Sequence, residues 1–280
     1  MLSKELHMDY RGQVKLVEIN TTKKVESLAG NDRKKEILNL LEDVGVVRVS
    51  ELSKRFGVTE ETIRRDLERL ESEGMLLRTH GGAVLNRKEG PELPVLQREL
   101  IQLDAKKAIG EYAASIVKDG EVIALDASTT CLQMAKNLPN KEITVITYSV
   151  AIAYELVKKN NIQIFLIGGY LDRHSLGNTG SPAEKMVEGY HADKFFFSCQ
   201  GFDLQRGVSE PYEAHAQLKK NIADISDQLI LLADSSKFQR KSLVRLIGLE
   251  EIHMVVTDNN MPPEALKEME SSNVNMVIVH

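Results

Sequence analysis

Residues 49–84 read VSELSKRFGVTEETIRRDLERLESEGMLLRTHGGAV, and the spacing of helix starts, glycines and apolar positions within them decides the first domain. Ser50 suits the cap of a helix running through Phe56, and Gly57 supplies a tight turn. Thr59 then caps a further helix that Gly74 ends. On that helix Ile63, Leu67 and Leu70 fall in one narrow stripe at ~100° per residue, so they are core candidates. Beyond Gly74, two short apolar segments flank Gly81-Gly82 and predict a small hairpin.

Upstream, Ile37, Leu38, Leu40 and Leu41 recur at helical spacing behind Asn31-Asp32 and stop near Gly45, which predicts a first helix. A short apolar stretch, Val46 to Val49, follows it. Helix, helix, turn, helix and hairpin in that order make a winged helix-turn-helix over residues 31–85. Residues 1–30 show mixed polarity without a clean period and are expected to form a weakly ordered extension. Residues 86–104, with Pro91 and Pro94, suit a linker that begins extended and becomes helical.

The helix after Thr59 is the one that would enter a DNA major groove. Away from its apolar stripe it presents Glu61, Thr62, Arg65 and Arg69, with Arg64 on the other edge. Arg64 and Arg65 are the leading candidates for base contact, because a guanidinium pairs bidentately with guanine O6 and N7. The helix amides, the Thr59 hydroxyl, Lys54, Arg55, Arg78 and His80 suit phosphates. The competing reading is a solvated helix whose arginines pair with Glu60, Glu61, Glu68 and Glu71; the surrounding turn and hairpin favour the DNA reader.

Charge limits how such a reader works. The chain carries 36 Lys and Arg against 41 Asp and Glu, a formal net charge of −5. Residues 31–90 hold twelve of each sign, so the remainder carries the deficit. Binding therefore depends on a few placed cations rather than on bulk attraction. No apolar run approaches the ~18 residues of a membrane span, and the opening MLSKELHMDYRGQVK lacks a signal-peptide core, so a cytoplasmic address without membrane contact is expected. Cys131 and Cys199 are too few for a disulfide framework or a zinc site; both are expected to be buried thiols, with no metal and no cofactor.

From residue 105 to 280 apolar runs alternate with helix-period segments. The runs are Val122–Leu125, Ile143–Thr147, Ile162–Ile167, Lys194–Ser198, Leu229–Ala233, Met254–Thr257 and Met276–Val279. Helical patterns include Lys106–Val117, Thr129–Asn137, Val150–Lys159 and Glu213–Asp224. Strands apolar throughout and alternating with helices imply an α/β domain with a Rossmann-like, mostly parallel sheet covered on both faces.

Within VIALDASTTCLQMAKNL (122–138) an apolar strand passes through a polar turn into a helix. Ser128, Thr129 and Thr130 there suit an anion, with Asp126 hydrogen-bonding a sugar hydroxyl or orienting the loop; equally, they suit a plain helix cap. Gly168-Gly169, Gly201 and Asp234-Ser235-Ser236-Lys237 follow other strands, and such loops converge on one crevice in a parallel sheet. Lys237 brings a cation, the glycines permit close approach, and Glu213 suits sugar hydroxyls.

The segment 49–84 resembles the signature of the DeoR-type bacterial regulators, and the resemblance extends over nearly everything from Arg33 to Asp258. DASTT, LIGGYLD, ADKFFFSCQGFD, the Glu213-Ala214 pair and LLADSSKF are similar to that family's effector domain. The resemblance implies a fold related to ribose-5-phosphate isomerase and a phosphorylated sugar as effector. It places Asp126, Ser128, Thr129, Thr130, Gly168, Gly169, Gly201, Glu213 and Lys237 in the effector pocket, with Arg98 and Lys106 as a basic pair ahead of it. Two departures stand out: Tyr148 replaces a common Asn, and Ser128 stands where Gly is frequent.

The resulting expectation is a homodimeric or homotetrameric repressor of a carbohydrate-catabolism operon, bound to operator DNA under control of a phosphorylated sugar. A sugar-phosphate isomerase with an accessory DNA-binding domain is the alternative. It needs a base near the substrate carbon; Glu213 and Asp126 are available, but no His, Cys or metal cluster joins them, so no catalytic residue is assigned.

Overall fold

The computed structural model describes residues 3–8, 14–19, 30–79, 81–85, 95–271 and 274–280. The chain divides into two compact units, Met1–Leu103 and Asp104–His280. Within the N-terminal extension β1 (Ser3–Met8) pairs antiparallel with β2 (Val14–Ile19), a hairpin where a weakly ordered segment is expected. Mixed polarity hides such a pair, because strands of six residues give little periodic signal.

The helices α1 (Gly30–Val44), α2 (Val49–Phe56) and α3 (Glu60–Ser72) pack with a sheet of order β3-β5-β4, formed by β3 (Val46–Arg48), β4 (Leu76–Thr79) and β5 (Gly82–Leu85). Their shared core contains Ile37, Leu41, Leu52, Phe56, Leu76 and the expected stripe Ile63, Leu67 and Leu70. Losing the Leu67 side chain to alanine would cost about 2–5 kcal/mol.

Ser50 does not cap α2. The N-cap is Arg48, in extended conformation and without a side-chain cap bond. Strand β3 runs straight into the helix, and the Val49 amide donates to the Gly81 carbonyl at 2.7 Å. A helix-start donor is thus satisfied by the wing, and Ser50 lies exposed in the first turn. Gly82 explains the closeness of that wing: a Cβ there would lie 1.8 Å from the Val47 carbonyl oxygen. Gly57, at φ +64°, ends α2 in the left-handed region and its amide donates to the Ser53 carbonyl. The short α4 (Val95–Arg98) follows.

The second unit runs α5 (Leu103–Ser115), β6 (Val122–Leu125), α6 (Thr129–Asn137), β7 (Ile143–Thr147), α7 (Val150–Leu156), β8 (Ile162–Leu166) and the hairpin β9 (Tyr170–Asp172) and β10 (Gly177–Thr179). It continues with α8 (Ser181–Val187), β11 (Ala192–Phe197), β12 (Gly201–Asp203), β13 (Gly207–Glu210), α9 (Glu213–Asp224) and β14 (Ser226–Leu232). Then come β15 (Val244–Arg245), β16 (Met254–Asp258), α10 (Pro263–Ser271) and β17 (Met276–Val279). Each of the seven apolar runs read from the sequence supplies one strand of a single sheet of order β17-β16-β14-β11-β6-β7-β8, paired parallel throughout.

Alternation sends successive residues of the strands into two cores, which explains why the strands are mostly apolar on both faces. Ala124, Ile146, Phe195, Phe197, Leu231 and Val255 enter one core with residues of α8, α9 and α10. Their chain neighbours Ile123, Val145, Phe196, Ile230 and Val256 enter another with residues of α5, α6 and α7. The result is three layers, helices on both faces of a parallel sheet. The chain winds outward from β6 through β8 and returns to β11 on the other side of β6, so the strand order reverses between β6 and β11. The carboxyl ends of those two strands flank the crevice where ligands bind in such sheets.

Candidate DNA-reading helix and ligand site

Thr59 caps α3 as expected, accepting from the Thr62 amide at 3.2 Å, with the two threonine hydroxyl oxygens 2.9 Å apart. Lys54, Arg55, Thr59, Glu61, Arg64, Arg65 and Arg69 are exposed, and Thr62 and Arg78 are half-buried. His80 lies outside the described residues. The arginines are engaged with glutamates: Arg64 with Glu60 at 2.7 Å, Arg65 with Glu61 at 3.3 Å, Arg55 with Glu36 at 3.3 Å and Arg78 with Glu68 at 2.8 Å. These pairs are solvent-facing and individually weak, so a phosphate or a guanine edge competes with them readily. The Arg78 amide also donates to Glu71 at 2.8 Å, tying the wing to α3.

Sequence reasoning missed the ion pair that fixes this helix. Arg33 of α1 donates through Nε to Asp66 Oδ2 of α3 at 2.6 Å, and both side chains are about nine-tenths buried. Asp66 lies on the apolar side of α3 beside Ile63, Leu67 and Leu70. That position was the available signal, because a carboxylate on a buried stripe needs a partner.

In the second unit, Asp126 follows β6 directly and is fully enclosed. Its Oδ1 accepts from the Ser128 amide at 3.0 Å, and Oδ2 accepts from the Ser198 amide at 2.9 Å across the strand-order reversal. Lys219 of α9 lies 2.8 Å from the same Oδ2, and its Nζ also donates to Glu210 at 2.5 Å and to the Ser198 carbonyl at 2.8 Å. Burial alone would raise the Asp126 carboxyl, but Lys219 and the hydrogen bonds outweigh it and hold the group below its ordinary value. Burial likewise opposes charge on Lys219, and the two carboxylates more than offset that, leaving it firmly protonated. Of the two roles read for Asp126, its observed bonds perform the second: they hold together the turns after β6 and β11.

Neither Lys219 nor Glu210 is among the residues read from the sequence. The missed signal was spacing: His215, Leu218, Lys219 and Ile222 form the buried stripe of α9.

The remaining candidates are placed as follows. Ser128 caps α6 and accepts from the Cys131 amide at 3.1 Å, while Thr129 and Thr130 are buried in the first turn. Tyr148 follows β7 directly and is completely buried. Lys237 lies half-buried in the turn after β14. Gly201 and Gly169 make room for the protein itself: a Cβ would lie 2.4 Å from the Arg240 carbonyl oxygen in the first case and 2.7 Å from that of Thr179 in the second. A Cβ on Gly168 would lie 3.8 Å from the Met186 sulfur, an ordinary contact, and the Gly168 amide donates to that sulfur at 3.2 Å. Glu213 is exposed at the start of α9, Arg98 belongs to the first unit, and Lys106 is buried on α5.

The β9–β10 hairpin lies beside the carboxyl ends of β7 and β8, since the Asn178 amide donates to the Tyr148 carbonyl and its side chain donates to the Ile167 carbonyl, both at 2.8 Å. A cluster of Asp172, Ser175 and His215 ties it to α9: His215 Nε2 lies 3.2 Å from Asp172 Oδ2 and 3.2 Å from Ser175 Oγ. Burial would raise the Asp172 carboxyl, but hydrogen bonds from Ser175, His174 and His215 bring it down to about 2. At the opposite, amino edge of the sheet, ligand atoms of His191, Asp193 and Asp227 lie within 4.8 Å of one another, an exposed group with the atoms to hold a metal.

Cys131 and Cys199 are free and buried, as expected, and burial raises both thiols. No helix among the described residues is long and apolar enough to cross a membrane.

A reading helix braced by a buried ion pair and a parallel sheet with a polar cluster at its strand-order reversal now stand beside known proteins. Residues 33–89 match the DeoR-like helix-turn-helix domain, and residues 101–259 match the DeoR C terminal sensor domain. An uncharacterized HTH-type transcriptional regulator, YulB of Bacillus subtilis (strain 168), is 44% identical over 248 residues, 89% of this chain and 96% of that one. A putative aga operon transcriptional repressor of Escherichia coli O157:H7 is 29% identical, covering 89% of this chain and 94% of that one. An L-fucose operon activator of Haemophilus influenzae is 33% identical, covering 89% and 100%. Among solved structures, ribose 5-phosphate isomerase a from Methanocaldococcus jannaschii aligns with a TM-score of 0.36 at 18% identity, over 49% of this chain and 54% of that chain. With both halves matched in order, the chain belongs to the DeoR family of transcriptional regulators.

Proposed function

We propose that this protein represses a carbohydrate-catabolism operon and that a phosphorylated sugar, bound at the carboxyl edge of the second unit's sheet, sets its occupancy of the operator. The observation that carries this reading is the polar cluster at the reversal between β6 and β11, on the same chain as a winged reader. Ser128 and the helix-start amides at Thr129 and Thr130 suit the phosphate together with Lys237. Glu213, exposed at the start of α9, is assigned to sugar hydroxyls, and Arg98 and Lys106 are assigned to the same function on the resemblance alone.

In this reading residues 31–85 read DNA, 86–104 link, 105–280 sense and oligomerise, and 1–30 are an accessory extension. Arg64 and Arg65 lead the base contacts from a face that also carries Thr62 and Arg69; Lys54, Arg55, Thr59, Arg78 and His80 position the helix on phosphates, and Glu61 orients Arg65. A dimer or tetramer presents two readers at once and gains through effective concentration. The protein acts in the cytoplasm on DNA, and no catalytic role is assigned to the pocket. Control requires that the sugar phosphate bind the DNA-competent and DNA-incompetent states unequally.

The test is a gel shift on genomic fragments selected by the protein itself, repeated across a panel of sugar phosphates and their unphosphorylated parents. Release by one phosphate and not by its parent is expected. Operator binding indifferent to the whole panel would overturn the sensor, turnover of a sugar phosphate seen by mass spectrometry would establish the enzyme, and enhanced binding would make the ligand a corepressor or the protein an activator.

A further inference from the structure

Tyr148 is fully enclosed directly after β7, yet its hydroxyl has no hydrogen-bond partner among the described residues. The Ala127 amide is near enough to influence the phenol but does not complete a hydrogen bond. Three charged groups act on the hydroxyl from around it: Lys219, Asp126 and Glu210. A buried hydroxyl left unanswered is costly, and such groups persist where another state of the protein satisfies them.

The three charged neighbours define what that state contains. All three donors of the Lys219 ammonium are engaged, by Asp126, Glu210 and the Ser198 carbonyl. Two carboxylates against one ammonium leave this corner with one excess negative charge. A phosphate group is repelled from it and belongs instead with Lys237 and the α6 amides. A neutral oxygen is what remains for the phenol to meet.

We propose that Tyr148 is a specificity-determining residue of the pocket, hydrogen-bonding a hydroxyl or carbonyl oxygen at the end of the ligand remote from its phosphate. This rests on the pocket being a phosphorylated-sugar site. Burial raises the phenol's pKa, so it stays protonated and able to donate.

Access follows from the same geometry. A Cβ on Gly177 of β10 would lie 3.2 Å from Tyr148 Cδ2 and 2.9 Å from the Ala127 side chain, so the hairpin is seated directly on the ring. His215, whose ring centroid is 6.0 Å from that of Tyr148, holds the hairpin through Asp172 and Ser175. A ligand reaches the phenol by lifting β9–β10.

The experiment compares the full-length wild type with Tyr148→Phe, which removes one oxygen atom and keeps the ring. Thermal melting and calorimetric titration are run with inorganic phosphate and with pentose, hexose and hexitol phosphates. The variant should melt at or above the wild-type temperature without ligand, bind the preferred sugar phosphate about tenfold or more weakly, and respond to inorganic phosphate as the wild type does. An unchanged Kd for that sugar phosphate would overturn the proposal while leaving the sensor reading intact. A lowered melting temperature with an unchanged Kd would do the same and show that the hydroxyl serves the fold. If no sugar phosphate stabilises the wild type although it still binds operator, the sensor reading falls and takes this inference with it.

Discussion

Arg33 and Asp66 form a buried ion pair, Nε to Oδ2 at 2.6 Å, that joins the first helix to the reading helix. Removing Asp66 takes away a buried charge partner of Arg33, and breaking such a pair costs about 3–5 kcal/mol. Asp66→Ala should therefore shift the denaturation of the first unit to lower urea and leave that of the second in place, as read by circular dichroism and hydrogen exchange. A first unit that unfolds at the wild-type midpoint would contradict the bracing role.

Arg65 contrasts with Asp66 one residue away, because its side chain is 73% exposed and its partner Glu61 is nearly as open. Arg65→Ala should leave the melting temperature unchanged and weaken operator binding by about 1–3 kcal/mol, roughly 5- to 150-fold, in a gel shift. Sugar-phosphate stabilisation of the second unit should persist. Unchanged operator affinity would move the recognition surface elsewhere.

Lys219 and Lys220 are neighbours with the same chemistry and different fates. Lys219→Met leaves Asp126 and Glu210 buried without their cation and should destabilise the second unit by about 3–5 kcal/mol. Lys220→Met should have little effect. Equal denaturation midpoints for the two variants would show that the Asp126 cluster does not hold the turns together.

Asp172 carries a pH signature. Its carboxyl is held down to about 2 in the folded protein against about 3.9 for an ordinary aspartate. A depressed folded value means the carboxylate's contribution is complete above pH ~4 and disappears as the pH falls toward 2. Asp172→Asn should be less stable than wild type near neutrality, with the gap closing through that window. Urea midpoints of both proteins at several acidic pH values measure it; a gap independent of pH would exclude the carboxylate as its source.

The central strands β6, β7, β11 and β16 were legible because they are largely buried on both faces and so nearly continuously apolar; the edge strands β8 and β17 are less covered but keep apolar runs, so the strand number follows by counting. The reading helix was legible through Thr59, Gly74 and the stripe of Ile63, Leu67 and Leu70. What escaped was the set of polar pairs closed over long sequence distance. Asp126 and Lys219 come from different strand-helix units, and a lysine on a helical stripe looks like its solvated neighbour until the facing carboxylate is known. The three-residue strand β3 escaped for a simpler reason: it lies between two helices and is too short for alternation to show. Its pairing with β5, through the missing side chain of Gly82, moves the start of α2 to Val49.

The saturation of Lys219 has a consequence for how such a pocket changes over evolutionary time. A cation whose donors are all met by the protein makes no demand on the ligand, so the cluster at the strand-order reversal can stay fixed while neighbouring positions drift. If the proposed pocket is the ligand site, substitution at Tyr148, Ser128 or Gly168 would alter the shape and hydrogen bonding offered to a visitor while the cluster holds the sheet, and one scaffold would be retuned to a succession of chemically related signals.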